Sequence, residues 1–541
     1  FASPGRSGRR ACGGNRRIVA SATAAGAGCC CGDQRRAGAR TSRSAPNTEE
    51  LGVGHMADSV ILPPYGEDRR PPPLTEVIEH LGLGWAQFRC AILGGAVFLA
   101  DGAELLLIGT VTRAVSEEWG MLAWQRGMVV SVVFVGILLG NAMSGPLGDN
   151  YGRRLPILAS YAGIAGFSIL SAMTNTFSEL CFARLFVGIA FGFGQPATIA
   201  QCTEVTPVAW RTVVQAVVQG SFILGELYSA VLVWYDDPDM KALDWRWLLL
   251  MGAIPSAVFF VLSLLFLNQS PSYLAVQGEY NEAIKVLESM RYDNGKPDMS
   301  IEFRALPPRA PSTPLQKVME PMQLVFSMKM LYTTCVSIYS CLVLNIVYYG
   351  CLYAFPQVVA DVDMGSSAAV ALIIGALWEI PGSIMSLVCG IFMTSKPVML
   401  LSLGLMFLSM TSFTIGARDH IHDLKEAEGS IVSVMLLHGG YMGIKAFTYV
   451  AFVSVYTFAS EIYPTRARTT GSAASVAGGR IGGIIAPMLF EELAHQTGGF
   501  SAFFYTLSTM IALNFLLVLP IHVHDNADET DTEAAPLVPN K

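Results

Sequence analysis

The chain of 541 residues is 52% hydrophobic and only 14% charged, with a formal net charge of −7 and a mean hydropathy of +0.46. A soluble globular chain carries about 25% charged residues, and no soluble core could absorb this much apolar sequence without exposing large patches. The composition excludes an ordinary water-soluble protein and points to a polytopic membrane protein.

Residues 1–55 carry nine Arg against Asp33, Glu49 and Glu50, with no Lys. This segment holds +6, which leaves −13 for Met56 onward. The chain opens on Phe1, whereas Met56-Ala-Asp-Ser-Val reads as a more ordinary cytoplasmic leader. A basic, acid-poor segment fits an organelle transit peptide, translated untranslated-region sequence or plain disorder, and the composition favours the last two. Residues 1–84 are therefore read as a disordered tail, of which 1–55 need not belong to the native protein.

Apolar runs of about 18 to 25 residues predict twelve membrane spans, centred near Phe98, Val135, Ala165, Ala190, Phe222, Phe259, Val343, Ala376, Leu405, Val450, Gly483 and Leu513. Residues 85–267 hold the first six and 330–520 the second six. Between them lies a polar insert, 268–329, with Lys285, Arg291, Lys296, Arg304, Arg309, Lys317 and Lys329. Basic residues also gather after even-numbered spans, at Arg153, Arg154, Arg211, Lys396, Arg466 and Arg468. Loops on the other side are poorer in base, as at Asp236, Asp237, Asp239 and Asp244. By the positive-inside rule both termini and the insert are cytoplasmic. Residues 521–541 form a short acidic tail. Plasma membrane and internal vesicle membrane both fit.

The link between the second and third spans reads Gly145-Pro-Leu-Gly148-Asp149-Asn-Tyr-Gly152-Arg153-Arg154. Gly145, Gly148 and Gly152 permit tight turning and close helix approach, Asp149 sits where a helix ends, and the arginines hold the link at the cytoplasm. Glu204-x-x-Pro207-x-x-x-Arg211 after the fourth span recurs as Glu461-x-x-Pro464-x-x-x-Arg468 after the tenth. Both copies fall at equivalent places in the hydropathy pattern, which a duplicated six-span unit explains. After the eighth span the corresponding link reads Gly390-Ile-Phe-Met-Thr-Ser-Lys396-Pro397, without the Asp or the Arg pair. The halves are not expected to gate identically.

The first link resembles the major facilitator superfamily signature, Gly-x-x-x-Asp-x-x-Gly-Arg-Arg, at Gly145, Asp149, Gly152, Arg153 and Arg154. Further resemblances extend from Trp85 to Pro520. Asp244-Trp-Arg-Trp247 with Ile254-Pro255 is similar to the sixth span of sugar porters and organic-ion transporters. Ser270-Pro271-Ser272-Tyr273-Leu274 resembles the motif Pro-Glu-Ser-Pro-Arg-Trp-Leu that follows it, with Asn268 and Gln269 replacing Pro-Glu. Arg184-x-x-x-Gly188-x-x-x-Gly192 resembles the fourth-span motif. Asn345-x-x-Tyr348-Tyr349-Gly350 and Glu461-Ile-Tyr-Pro464-Thr are closest to the synaptic-vesicle-two-related and organic-ion branch. The resemblance implies an all-α membrane protein of twelve helices in two pseudo-symmetric six-helix halves, with its site near the midplane. It also implies a gate built from the signature link, Glu204, Arg211, Glu461, Arg468 and Arg480, the last reaching Asp149.

Charged residues inside spans are costly and usually face the bundle interior or a wet cavity. Asp101 and Glu104, three apart, share a face of the first span, and two close carboxylates repel and tend to share a proton. Arg184 is the natural counter-charge. In proton-coupled sugar porters an acid in the first span pairs with the fourth-span Arg, and Asp101 and Arg184 stand at those positions. A buried ion pair that only fixes helix register is the alternative. Gln219 and Glu226, two turns apart on the fifth span, match positions where sugar porters place two Gln to bind hydroxyls. Glu226 departs from that pattern and favours a cationic or amine-bearing ligand, unless Lys445 pairs with it. Lys445 could neutralise Glu226 or Glu379, or bind an anion. Asn345, Tyr348 and Tyr349 could line the cavity, and His438 reads as a hydrogen-bonded core residue.

No His/Cys cluster has metal spacing and no Gly-Lys-Ser/Thr phosphate loop appears, so no enzyme, cofactor or metal site is expected. Seven cysteines, Cys90, Cys181, Cys202, Cys335, Cys341, Cys351 and Cys389, lie in or beside spans as small hydrophobes, and the other four lie in the N-terminal tail. The expected activity is secondary transport of a small organic solute, an organic cation or other polar metabolite, with protons or another coupling ion, by a monomer in the bilayer and without a nucleic-acid partner. A non-transporting receptor-like member and a sugar or organic-anion porter are the alternatives.

Overall fold

The computed structural model describes residues 71–304, 322–362, 364–426, 431–463 and 468–521, with the backbone alone at 421–426, 468 and 469. The readings made for residues 1–70 and 522–541, and for Arg309, Lys317, Pro464 and Arg466, lie outside the described residues.

A short helix α1 (Leu74–Leu81) corrects the reading of a disordered tail up to residue 84, since it buries Leu74, Val77, Ile78 and Leu81; it precedes six long helices, α2 (Trp85–Trp119), α3 (Ala123–Tyr151), α4 (Arg154–Ala172), α5 (Phe177–Val205), α6 (Arg211–Asp236) and α7 (Trp245–Phe266). Two short insert helices follow, α8 (Pro271–Gln277) and α9 (Tyr280–Asp293). The second six are α10 (Leu331–Asp361), α11 (Ala368–Phe392), α12 (Ser395–Glu426), α13 (Ile431–Glu461), α14 (Arg468–Thr497) and α15 (Ser501–Val518). Twelve helices are long and apolar enough to cross a membrane, and each contains one of the predicted span centres. The described residues form no strand.

Local chemistry sets the helix ends. Thr176, Asp244 and Ser270 accept from the backbone N–H three residues on, which satisfies a donor that the first turn of α5, α7 and α8 would otherwise leave free. The N-terminus of α2 is capped from afar, because Asn294, just past α9, accepts from the Ala86 N–H at 3.0 Å. Arg89 pairs with Asp293 at 2.8 Å, so the insert is tied to the first membrane helix.

The halves repeat one packing scheme. In the first, α2 packs on α6 and α3 on α5; in the second, α10 packs on α14 and α11 on α13. The fourth-span motif explains one of these contacts. A Cβ on Gly188 would overlap the Val133 carbonyl oxygen, and one on Gly192 would overlap the Ile137 carbonyl. Gly136 and Gly140 return the contact from α3, so two small-residue stripes let the backbones touch. Across the halves α2 meets α10, α3 meets α14 and α6 meets α11.

The Gly188 contact generates a test. Gly188→Leu should cost about 1–3 kcal/mol through overpacking and lower the melting temperature of the purified protein. Gly166→Leu, where a Cβ meets nothing within 4 Å, should leave it unchanged; equal shifts in the two would remove the close approach as the cause.

Candidate functional site

Two buried polar layers lie where the halves meet. In the first, Arg184 Nη1 donates to Glu104 Oε2 at 2.7 Å, with both side chains 1% exposed. This corrects the expected pairing of Arg184 with Asp101. Helices α2 and α5 run antiparallel, so the acid further along α2 meets the base earlier on α5. Asp101 instead accepts from Gln195 Nε2 at 2.5 Å. Gln195 Oε1 accepts from Arg480 Nη2 at 3.1 Å, and Arg480 Nη1 donates to the Tyr349 hydroxyl at 3.1 Å. A neutral amide thus relays an acid of the first half to a base of the second. Asn345 donates to the Tyr456 hydroxyl at 3.0 Å and to the Cys341 carbonyl at 2.7 Å.

The second layer is a charge triad. Lys445 Nζ on α13 donates to Glu226 Oε2 on α6 at 2.8 Å and to Glu379 Oε1 on α11 at 2.7 Å. The Tyr348 hydroxyl on α10 lies within hydrogen-bonding reach of both acids, at 3.3 Å and 3.4 Å, and shares its one proton between them. Both carboxylates are 1% exposed. Of the alternatives left open for Lys445, the two pairings therefore merge, since it donates to Glu226 and Glu379 together. Two carboxyl groups thus share one ammonium. Phe222, Tyr349 and Phe452 pack their rings on Tyr348 at centroid distances of 5.9, 5.2 and 5.3 Å. A cavity beside the triad is lined by Tyr348, Cys351, Glu379, Lys445 and Thr448. Gln219 is half-buried on α6, two turns before Glu226.

The signature link is almost wholly helical. Helix α3 runs to Tyr151 and α4 starts at Arg154, and Gly152 turns the chain at φ 84°. Gly145 needs no special backbone freedom, since a Cβ there meets nothing within 4 Å. Asp149 accepts from Arg153 at 2.8 Å, and Arg153 reaches Glu204 at 3.2 Å. Ser270 also donates to Glu204. The Arg154 N–H donates to Gln269 Oε1 at 3.1 Å and its guanidinium to the Leu264 carbonyl at 2.6 Å. Arg211 donates to the Thr206 carbonyl at 3.2 Å. In the second half Glu461 accepts from Ser395 where Glu204 has Arg153. The Arg468 side chain lies outside the described residues. Arg480 does not meet Asp149: it stands twelve residues into α14, about 18 Å from that helix's first residue, which is midplane depth.

On the opposite face the halves are latched. Arg126 on α3 donates to Glu491 on α14 at 2.8 Å and 2.5 Å, and Tyr353 donates to the same carboxylate at 2.5 Å. Ser131 donates to the Ile484 carbonyl at 2.6 Å, and Arg113 to Asp361 at 3.0 Å. Among the described residues, the hydrogen bonds and ion pairs that join the halves lie at the midplane or on this face, and none lies at the signature link.

Residues 90–524 match the family described as sugar (and other) transporter. The chain belongs to this family, within the major facilitator superfamily. It is 27% identical over 471 residues to the organic cation/carnitine transporter 7 of Arabidopsis thaliana, covering 78% of this chain and 88% of that protein. It is 29% identical over 222 residues to the synaptic vesicle 2-related protein of Bos taurus, where the match covers 41% of this chain and 40% of the relative. The inward open conformation of the xylose transporter XylE from E. coli matches with a TM-score of 0.63 at 16% identity, over 83% of this chain and 99% of that one. As a member of this family the chain is an integral, multi-pass membrane protein of the transporter class.

Sequence reasoning passed over Gln195, Glu491 and Arg126. Gln195 lies eleven residues after Arg184, three full turns on the same face, which is a readable signal. Glu491 lies beside Glu492 in an otherwise apolar span, which is another.

The latch has its own test. Glu491→Gln should lower, several-fold, the disulfide yield between Ser131→Cys and Ile484→Cys, read by mass spectrometry of the bridged peptide, because one partner of a buried pair is lost. The exchange Arg126→Glu with Glu491→Arg should restore part of that yield. No change in the single variant would remove the pair as a latch.

Proposed function

We propose that this family member is a secondary active transporter that moves a small organic cation by alternating access, coupled to protons. The carboxyl pair of the Glu226, Glu379 and Lys445 triad carries the reading. Two buried carboxyl groups that share one ammonium are only partly compensated, and an uncompensated charge in low dielectric costs several kcal/mol, so a solute bringing one positive charge is stabilised there. Aromatic faces around Tyr348 add cation–π attraction. The likeness to the Arabidopsis thaliana organic cation/carnitine transporter supports the same class. Gln219, Asn345, Tyr348 and Tyr349 supply the remaining polar and aromatic lining.

Asp101 is the proposed proton carrier, with Glu104 as the next in line. Asp101 is 1% exposed, its hydrogen bond comes from a neutral amide, and its Oδ1 has no partner among the described residues. A carboxyl so placed is costly to ionise, and protonation would loosen its link through Gln195 to Arg480. Arg184, held by Glu104, keeps the two acids in different environments.

The signature-link face is proposed to be cytoplasmic, in keeping with its Arg and Lys content. The latched face is then outward and the conformation inward-facing. Asp149, Arg153, Arg154, Glu204, Arg211, Glu461 and Arg468 are proposed to form the inner gate, with Gly152 at its turn. The match to a synaptic vesicle 2-related protein and the eroded second link favour a second reading, a vesicle component that does not transport.

Proteoliposome uptake decides between them. A small amine should be taken up in preference to a carboxylate or a hexose, and Glu226→Gln should reduce that preference about tenfold or more. If the carboxylate is the best substrate and Glu226→Gln leaves the ranking unchanged, the cation reading fails; if nothing is taken up, the non-transporting reading stands.

Asp101→Asn should keep substrate exchange and lose accumulation driven by a pH gradient. Full pH-driven accumulation in that variant would reject Asp101 as the carrier.

A further inference from the structure

The triad holds its own cation. Lys445 and Glu379 belong to the second half and Glu226 to the first, so the 2.8 Å contact between Lys445 and Glu226 is a charged link across the halves. The neighbouring cavity, about 10 Å³ and so roughly the room of one water, has Lys445 and Glu379 in its wall. It is otherwise lined by uncharged groups, Tyr348, Cys351, Leu352, Ile444 and Thr448. The Thr448 hydroxyl is 3% exposed and has no hydrogen-bond partner among the described residues. A buried polar group lining a cavity, beside two carboxyl groups that share one ammonium, marks a place that a ligand can complete.

We infer that Lys445 is a tethered counter-cation that sets the accepted solute's charge at +1. The inference rests on the organic-cation reading above and deepens it. Two carboxylates and one ammonium leave room for one positive charge. An arriving monocation shares Glu226 and Glu379 with Lys445 and hydrogen-bonds Thr448 where it has a donor. A dication meets the fixed ammonium and is repelled at short range in low dielectric. Removing the ammonium changes the count, so that the same two carboxylates then call for two positive charges. Truncating the stem also adds the space it occupied to the cavity, where the second ammonium of a diamine can sit.

The experiment uses the purified full chain and two probes, n-butylammonium and 1,4-butanediammonium, which share a carbon skeleton and differ by one charge. Binding is measured by titration calorimetry on the wild type, Lys445→Ala, and Lys445→Ala with Glu379→Gln. The wild type should prefer the monoamine. Lys445→Ala should reverse the order, moving the ratio of the two dissociation constants by about tenfold or more. The double variant returns the count to one negative charge and should again prefer the monoamine; it also decides the matter should the single variant fail to fold. A wild-type ratio in Lys445→Ala, or a diamine preference in the double variant, overturns the role of Lys445. Wild type that binds neither amine overturns instead the cation reading on which it rests.

Discussion

Charge placed inside a low-dielectric bundle has to meet a partner, and that constraint organises this molecule. Asp101, Glu104, Arg184, Glu226, Glu379, Lys445 and Arg480 lie on six membrane helices, and none can turn to water as a surface residue would. The structure resolves the demand in three ways. Glu104 and Arg184 close on each other within the first half. Lys445 divides itself between two acids from different halves. Asp101 and Arg480 meet through the two ends of one amide, Gln195, so that neither touches an opposite charge directly.

These three solutions differ in what they let move. A closed ion pair buried in one half is worth most as a rigid spacer, since separating it would leave two bare charges. A shared ammonium and an amide relay both span the boundary between halves, and each can be replaced from outside, by a cation in one case and a proton in the other. The parts of the midplane that bind the halves together are thus also the parts that a solute or ion can compete for. Alternating access needs links of this kind, strong enough to define a state and weak enough to exchange.

The two faces are built differently. One is fastened by Arg126, Glu491 and Tyr353, with Ser131 on the Ile484 carbonyl alongside. The other carries charge relays that stay within a half: Asp149, Arg153 and Glu204 in the first, Ser395 and Glu461 in the second. The duplicated Glu is kept in both, but Glu204 accepts from a guanidinium and a hydroxyl and Glu461 from a hydroxyl. The first relay also holds the insert, through Ser270 and Gln269, where the sequence departs from the family motif with Gln for Glu. The Gln269 amide accepts the first backbone N–H of α4 there, so the departure keeps a hydrogen bond while removing a charge.

Much of the architecture was legible in the chain, because a bilayer imposes a one-dimensional rule: each span must be about twenty residues long and apolar. The twelve centres, the two halves and the family follow from that rule and from short motifs such as Gly145 to Arg154. Most of the midplane charges were legible too, since a carboxylate or base inside an apolar run stands out, whereas the neutral Gln195 and the latch pair Arg126 and Glu491 were passed over. Their partners were not. Asp101 and Glu104 are equally good neighbours for Arg184 on paper, and only the antiparallel stagger of α2 and α5 gives Arg184 to Glu104 and leaves Asp101 to Gln195. Arg480 was expected at Asp149, but its depth in α14 carries it to Tyr349 instead. Lys445 could have met either acid, and it meets both because α11 packs against α6 as well as against α13. Pairing in a bundle depends on depth and rotation of helices far apart in sequence, and these are set by close contacts such as Gly188 against Val133, which only the folded structure brings about.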